Sequence, residues 1–264
     1  MKILFIGDIF GRSGRKTVKS LLPGLIEKHK PDLVLANPEN LSHGNGFSKK
    51  TIVEMQEAGV DFFTSGNHVF DNKDGANCLG DQDFPVLRPA NYPDENTPGD
   101  GYRIIESRNG KKVLVISLIG RVFMGGYFGC PFRYADKILD EADLTDVSAV
   151  FVDFHAEATS EKYALAYYLD GRVSALVGTH THVQTNDARI LEQGTAYITD
   201  VGMTGPFDSV IGVKKDIIIK RFLTQLGVKH EPEMDGQMVL SAFLVEVDSK
   251  TRKAKEAKNI LEFS

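Results

Sequence analysis

Cysteine is scarce. Cys78 and Cys130 are the only two in 264 residues and form no CxxC pair, which excludes a disulfide framework and leaves free thiols as the default. Long apolar runs are missing too. The run Ile3 to Ile6 stops at Gly7-Asp8, short of the roughly 7–15 residues of a secretory signal core. Nothing later approaches the roughly 18–20 apolar residues of a membrane span, so the expected location is the cytoplasm. Positive charge is not in excess: 31 Lys and Arg against 36 Asp and Glu give a net charge of −5. That argues against a broad electrostatic grip on nucleic acid, though a local basic groove remains open. Repeats, low-complexity stretches and linkers are absent as well. The remainder, 42% hydrophobic and 25% charged, is ordinary for a soluble globular chain. A chain of this length buries roughly 70–75% of its unfolded surface, and a single domain over residues 1–264 is expected.

The first third alternates strand and helix patterns. Lys2–Gly7 and Asp32–Asn37 read as buried strands and Asp61–Thr64 as a third. Between them, Thr17–His29 and Ser48–Ala58 have helical spacing, with Ser48 as N-cap. This alternation predicts a parallel sheet with crossover helices. Further on, Asn109-Gly110 between Tyr102–Ser107 and Lys112–Leu118 signals a hairpin. Arg121–Tyr134, rich in Gly and aromatics, reads as a covering loop. Strands follow at Ala149–Phe154, Ala175–Gly178 and Ala196–Thr199, helices at Thr159–Leu169 and Lys214–Leu226, and a late antiparallel strand at Val239–Val247. The expected class is α/β, with a mixed sheet or two sheets face to face and helices outside.

The polar residues that end the strands are the informative pattern. Asp8 ends the first, Glu39-Asn40 the second, Asn67-His68 the third, and His155 and His180-Thr181-His182 the later ones. Ligands of open α/β sheets bind beyond the carboxyl ends of strands, where these groups can converge. Carboxylate, carboxamide and imidazole together suit a borderline cation such as Mn, Fe, Zn or Co. Each has a plainer reading alone: Asp8 as a turn residue or cap, His155 as a hydrogen-bonded core histidine. Five strand ends so furnished point to a metal site.

Other candidates carry less. Gly11–Thr17 (GRSGRKT) fails the phosphate-loop spacing, because Arg15 separates Gly14 from Lys16. It reads instead as the cap of a helix whose N-terminus attracts an anion, with Arg12 beside it. His29 and His230 sit among charged residues and read as solvated. His43 reads as a loop residue within reach of a substrate, and Tyr163, Tyr167 and Tyr168 as packing.

The order Asp8, Glu39-Asn40, Gly66-Asn67-His68, His155, His180-x-His182 resembles the calcineurin-like metallophosphoesterases. It is most similar to their YmdB-like branch of 2′,3′-cyclic-nucleotide 2′-phosphodiesterases. The segments GDIFGRSGR from Gly7, NPEN from Asn37, SGNHVFDNK from Ser65, VDFHAEATSEK from Val152, GTHTHVQTND from Gly178 and DVGMTGPFDSVIG from Asp200 carry the likeness. The chain departs from the wider superfamily in three places. Phe10 stands where a ligand histidine is usual, Pro38-Glu39 replaces Gly-Asp, and Val69 follows Asn-His. The loop Ser42-His43-Gly44-Asn45 also differs from the usual Ala/Gly-rich run.

The resemblance implies a four-layer αββα metallophosphoesterase-like sandwich of mixed sheets. It implies two metal ions, Fe and/or Mn, one held by Asp8, Glu39, Asn40 and His182, the other by Glu39, Asn67, His155 and His180. Two cations about 3.5–4 Å apart neutralise phosphate oxygens and activate a bridging water. The expected reaction is attack by the metal-bridging hydroxide on a 2′,3′-cyclic nucleotide, His68 as general acid protonating the 2′ oxygen, with a nucleoside 3′-phosphate as product. The expected partner is thus a small cyclic nucleotide, with RNA ends also open and no membrane. The other readings are a broader phosphatase or RNA-end processing enzyme, or a regulatory protein that binds a nucleotide or RNA at the same metal site.

Overall fold

A computed structural model describes residues 1–264. The first half comprises β1 (Lys2–Ile6), β2 (Asp8–Ile9), α1 (Gly11–His29), β3 (Leu33–Ala36), α2 (Lys49–Glu57), β4 (Phe62–Phe63), α3 (Lys73–Cys78), β5 (Tyr102–Glu106) and β6 (Lys112–Ile119). The second half comprises α4 (Pro131–Glu141), β7 (Val147–His155), α5 (Thr159–Leu169), β8 (Ala175–Thr179), β9 (Arg189–Ile190), β10 (Ala196–Ile198), β11 (Met203–Pro206), α6 (Lys215–Thr224), β12 (Met238–Val247) and β13 (Ala254–Phe263).

These strands form two mixed sheets. One runs β2-β11-β12-β1-β3-β4 with β13 paired to β12, the other β5-β6-β7-β8-β10-β9. The expected parallel pairings are present in β1–β3–β4 and in β6–β7–β8–β10. The hairpin at Asn109-Gly110 pairs β5 with β6 antiparallel, Tyr102 facing Ile116. Strand alternation sorts the apolar side chains into three cores. Phe5, Leu35, Phe151, Val177 and Phe243 fill the space between the sheets. Their neighbours in sequence face outward: Leu4, Ile6 and Val34 pack under α1 and α2 through Val18, Leu22 and Met55. On the other side Ile116, Val150 and Val152 pack under α4 and α5 through Ile138, Leu165 and Leu169. The result is the expected four-layer αββα sandwich. No helix is long and apolar enough to cross a membrane.

Two boundaries differ from the sequence reading by more than two residues. Helix α1 begins at Gly11, not at Thr17, because its small residues pack rather than cap: a Cβ on Gly14 would stand 2.5 Å from the Thr204 carbonyl. The aromatic-rich loop ends at Cys130, where Pro131 occupies the first turn of α4, a position that does not need the N–H proline lacks.

Candidate metal centre

The carboxyl ends of β1, β3, β4, β7 and β8 meet at one point. Asp8 is at the start of β2, Glu39 and Asn40 lie three and four residues beyond β3, Asn67 follows β4, His155 ends β7 and His180 follows β8. His155 is fully buried, and three polar atoms surround its Nε2: Asn67 Oδ1 at 3.0 Å, His180 Nδ1 at 3.0 Å and Glu39 Oε1 at 3.1 Å. The Glu39, His155 and His180 ligand atoms all lie within 4.8 Å of one another. Gly66 permits this crowding, since a Cβ there would fall 2.3 Å from both Glu39 Oε2 and His155 Nε2.

Both imidazoles are turned by partners on their far side. His155 Nδ1 meets Thr179 Oγ1 at 2.9 Å, and that hydroxyl donates to the buried Asp153 carboxylate at 2.7 Å. Asp153 also accepts from Thr64 and Asn37. His180 Nε2 faces Glu157 at 3.1 Å. With their far nitrogens donating, both rings aim lone pairs at the same point as two oxygens. Four acceptors that converge at about 3 Å repel one another unless a cation sits among them. Without one, a proton fills the role. Burial opposes charge on His155, but Glu39 overrides it and lifts the imidazole to about 9. Burial likewise opposes charge on Glu39, yet His155 draws its carboxyl down to about 2. Burial and the His155 charge press His180 to about 3.

Two oxygens beside this group are orphaned. Asp8 Oδ1 and Asn40 Oδ1 are buried without a hydrogen-bond partner, which is rare and calls for an ion or water. Asn40 Nδ2 donates to the Gly44 carbonyl at 2.8 Å, which fixes the orphaned end as oxygen. Asp8 Oδ2 accepts the His180 amide at 3.1 Å. Burial above all holds the Asp8 carboxyl well above the usual carboxylate range. His182 Nδ1 donates to the Ile211 carbonyl at 3.2 Å, leaving Nε2 as acceptor, and burial keeps the ring below its usual value, hence neutral. The donor set therefore fits metal ions: acceptor atoms, the imidazoles of His180 and His182 kept neutral by burial, and two orphaned oxygens. The chain gathers Glu39, Asn67, His155 and His180 directly. Asp8 joins through the His180 amide, while Asn40 and His182 make no hydrogen bond to that quartet and face a neighbouring cleft.

His68 lines the same cleft. Its Nδ1 is 2.6 Å from Asp71 Oδ2 and its amide donates to Glu39 Oε2 at 3.2 Å, so Nε2 is the ring atom left free. Phe10 lies instead in an apolar cluster with Met203, Val213 and Ile218, its ring edge-on to His182.

Sequence reasoning missed the groups that orient these residues. His180 and His182 have φ of 98° and 65°, left-handed values that cost non-glycine residues about 1–3 kcal/mol each. Asp200 holds the loop, accepting from the Thr181 amide at 3.1 Å and its hydroxyl at 2.8 Å. Lys162, fully buried on α5, donates to Asp200 at 2.7 Å and to the Thr179 carbonyl at 2.9 Å. One signal was available: Lys162 opens the buried stripe Lys162, Leu165, Ala166, Leu169, where a lysine needs a partner. Lys162→Met leaves Asp200 as an unpaired buried charge and is expected to cost about 3–5 kcal/mol in denaturant unfolding. Adding Asp200→Asn should restore most of it. Thr179→Val cuts the link from Asp153 to His155; metal affinity, titrated against a chelator, is expected to fall about 10–100-fold.

Residues 4–260 match the family described as YmdB-like protein. A 2′,3′-cyclic-nucleotide 2′-phosphodiesterase of Bacillus subtilis (strain 168) is 47% identical over 99% of this chain and 97% of that one. The crystal structure of a novel phosphatase from Mycoplasma pneumoniae, 35% identical, has a TM-score of 0.91 and covers 100% of this chain and 93% of that one. A Staphylococcus aureus structure described as a 5′-nucleotidase has a TM-score of 0.62 at 15% identity, over 98% of this chain and 54% of that one. That likeness shows the fold alone.

Proposed function

The chain belongs to the YmdB-like protein family, and from that premise we propose that it is a metal-dependent phosphoric diester hydrolase that opens 2′,3′-cyclic nucleotides to nucleoside 3′-phosphates. The observation that carries this reading is the convergence of four acceptor atoms, His155 Nε2 and the three around it, beside two orphaned oxygens. The 47% identical relative supports the substrate class. In this reading residues 1–264 act as one domain. Asp8, Glu39, Asn40 and His182 would hold one ion and Glu39, Asn67, His155 and His180 a second, with Fe and/or Mn suited to mixed nitrogen and oxygen donors. When bound, such ions neutralise phosphate oxygens and lower the pKa of water.

The chain's own groups supply orientation and proton transfer. Glu39, with one oxygen toward His155 and the other toward the His68 amide, ties the metal-holding side to the acid side. Asp71 fixes the His68 ring by its Nδ1 and leaves Nε2 to pass a proton to the departing 2′ oxygen. The test is elemental analysis of purified protein together with a panel of 2′,3′-cyclic AMP, linear diesters and phosphomonoesters. Two equivalents of metal and preferential turnover of the cyclic substrate are expected. Metal-loaded protein that binds the cyclic nucleotide but leaves it intact overturns the enzymatic reading.

A further inference from the structure

We propose that the excursion between β11 and β12, residues 207–237, together with the loop at His43, forms a binding subsite for a single nucleoside, and that His230 and Ile211 determine preference for a base. This inference rests on the phosphodiesterase reading and adds how the site would recognise the part of the substrate that does not react.

A cleft of about 290 Å³ opens beside the metal-ligand candidates Asn40 and His182 and the proton donor His68. That volume lies at the lower end for small-molecule sites, roughly 300–1,000 Å³, and suits one nucleoside, not a run of stacked bases. Its far side is lined by Ile211, Val213, His230 and Pro232, its near side by His43 and Asn45. A lining that combines apolar side chains with amide and imidazole groups matches the flat ring and polar edge of a nucleobase.

The far wall is anchored to the reactive end of the cleft. Val213 and Ile218 pack on Phe10. A Cβ on Gly212 would stand 2.6 Å from the Phe10 ring, so the chain lies directly on it. The next carbonyl back, Ile211, receives His182 Nδ1. The aromatic ring in place of a ligand histidine thus becomes the seat on which this wall rests. His230 is oriented too: Arg221, which can only donate, stands 2.9 Å from its Nε2. With Nε2 accepting from Arg221, Nδ1 is the nitrogen that donates, here to a base or sugar oxygen or nitrogen.

Ile211 is half exposed and His230 exposed, so truncating either leaves the cores intact. The experiment compares metal-loaded wild type, Ile211→Ala and His230→Ala on 2′,3′-cyclic AMP and on bis(p-nitrophenyl) phosphate, which carries no base or ribose. The ratio of kcat/KM for the nucleotide over the base-less diester should fall by roughly fivefold to a hundredfold in each variant, the scale of one lost base contact. Adenosine, with no phosphate for a metal to hold, should inhibit wild type competitively and weaken by a similar factor in the variants. An unchanged ratio with unchanged adenosine inhibition overturns the subsite while wild-type turnover upholds the phosphodiesterase. Wild type inert on both diesters overturns the phosphodiesterase reading itself, and this inference with it.

Discussion

Glu39→Gln is expected to empty both halves of the metal centre together. Glu39 is the one residue proposed to serve both ions, and its two oxygens already divide between His155 and the His68 amide. Gln keeps the shape but loses the charge and puts an NH2 group, which has no lone pair to offer a cation, in place of one oxygen. Turnover should fall by more than the roughly 10–100-fold that outer partners cost, with metal content reduced at both sites by elemental analysis. Asn40→Ala removes an orphaned oxygen from one side only and should lower one equivalent while sparing the other. Glu39→Gln protein that retains two equivalents of metal would refute the bridging role.

His68→Ala is the complementary case. As a proton donor outside the ligand set, its removal should leave metal content unchanged and slow 2′,3′-cyclic AMP turnover by roughly 10²–10⁴-fold. A diester with a p-nitrophenolate leaving group needs little protonation, so its turnover should fall much less. Asp71→Asn, which weakens the hold on Nδ1, should lose activity in the same pattern to a smaller degree. Equal losses on both substrates would reduce His68 to a packing residue, and loss of metal would make it a ligand.

Much of this was legible in the sequence because strands buried on both faces read as apolar runs that stop abruptly. The stops fall where the candidate ligands stand, so Asp8, Glu39, His155 and His180 could be named without coordinates. The runs fail where burial is incomplete: β13 carries the exposed Lys255, Glu256 and Lys258 and shows no such run. The first turn of α1 was hidden for the opposite reason, since Ser13 and Gly14 are buried by close backbone approach, not by apolar bulk. His230 sits among charges and reads as solvated, yet the fold of the 207–237 excursion brings it to the cleft. Groups that act through another residue, such as Asp71, Thr179 and Lys162, leave no local pattern, because their meaning lies in contacts between distant segments.

The pairing of β1 sets a schedule for the chain as it is made. Its antiparallel neighbour is β12, with Ile6 opposite Ala242, and the N-terminal ammonium donates to the Val247 carbonyl. Strand β2, which carries Asp8, is paired only with β11. The sheet at β1 therefore cannot close on this side until β12 has been made, a topology of high contact order that folds slowly. A ribosome-held chain exposes the edge of β1 meanwhile, a surface prone to wrong pairing and suited to chaperone capture. A truncation before Met238, which removes β12 and β13, should therefore abolish metal binding although all seven proposed ligands remain.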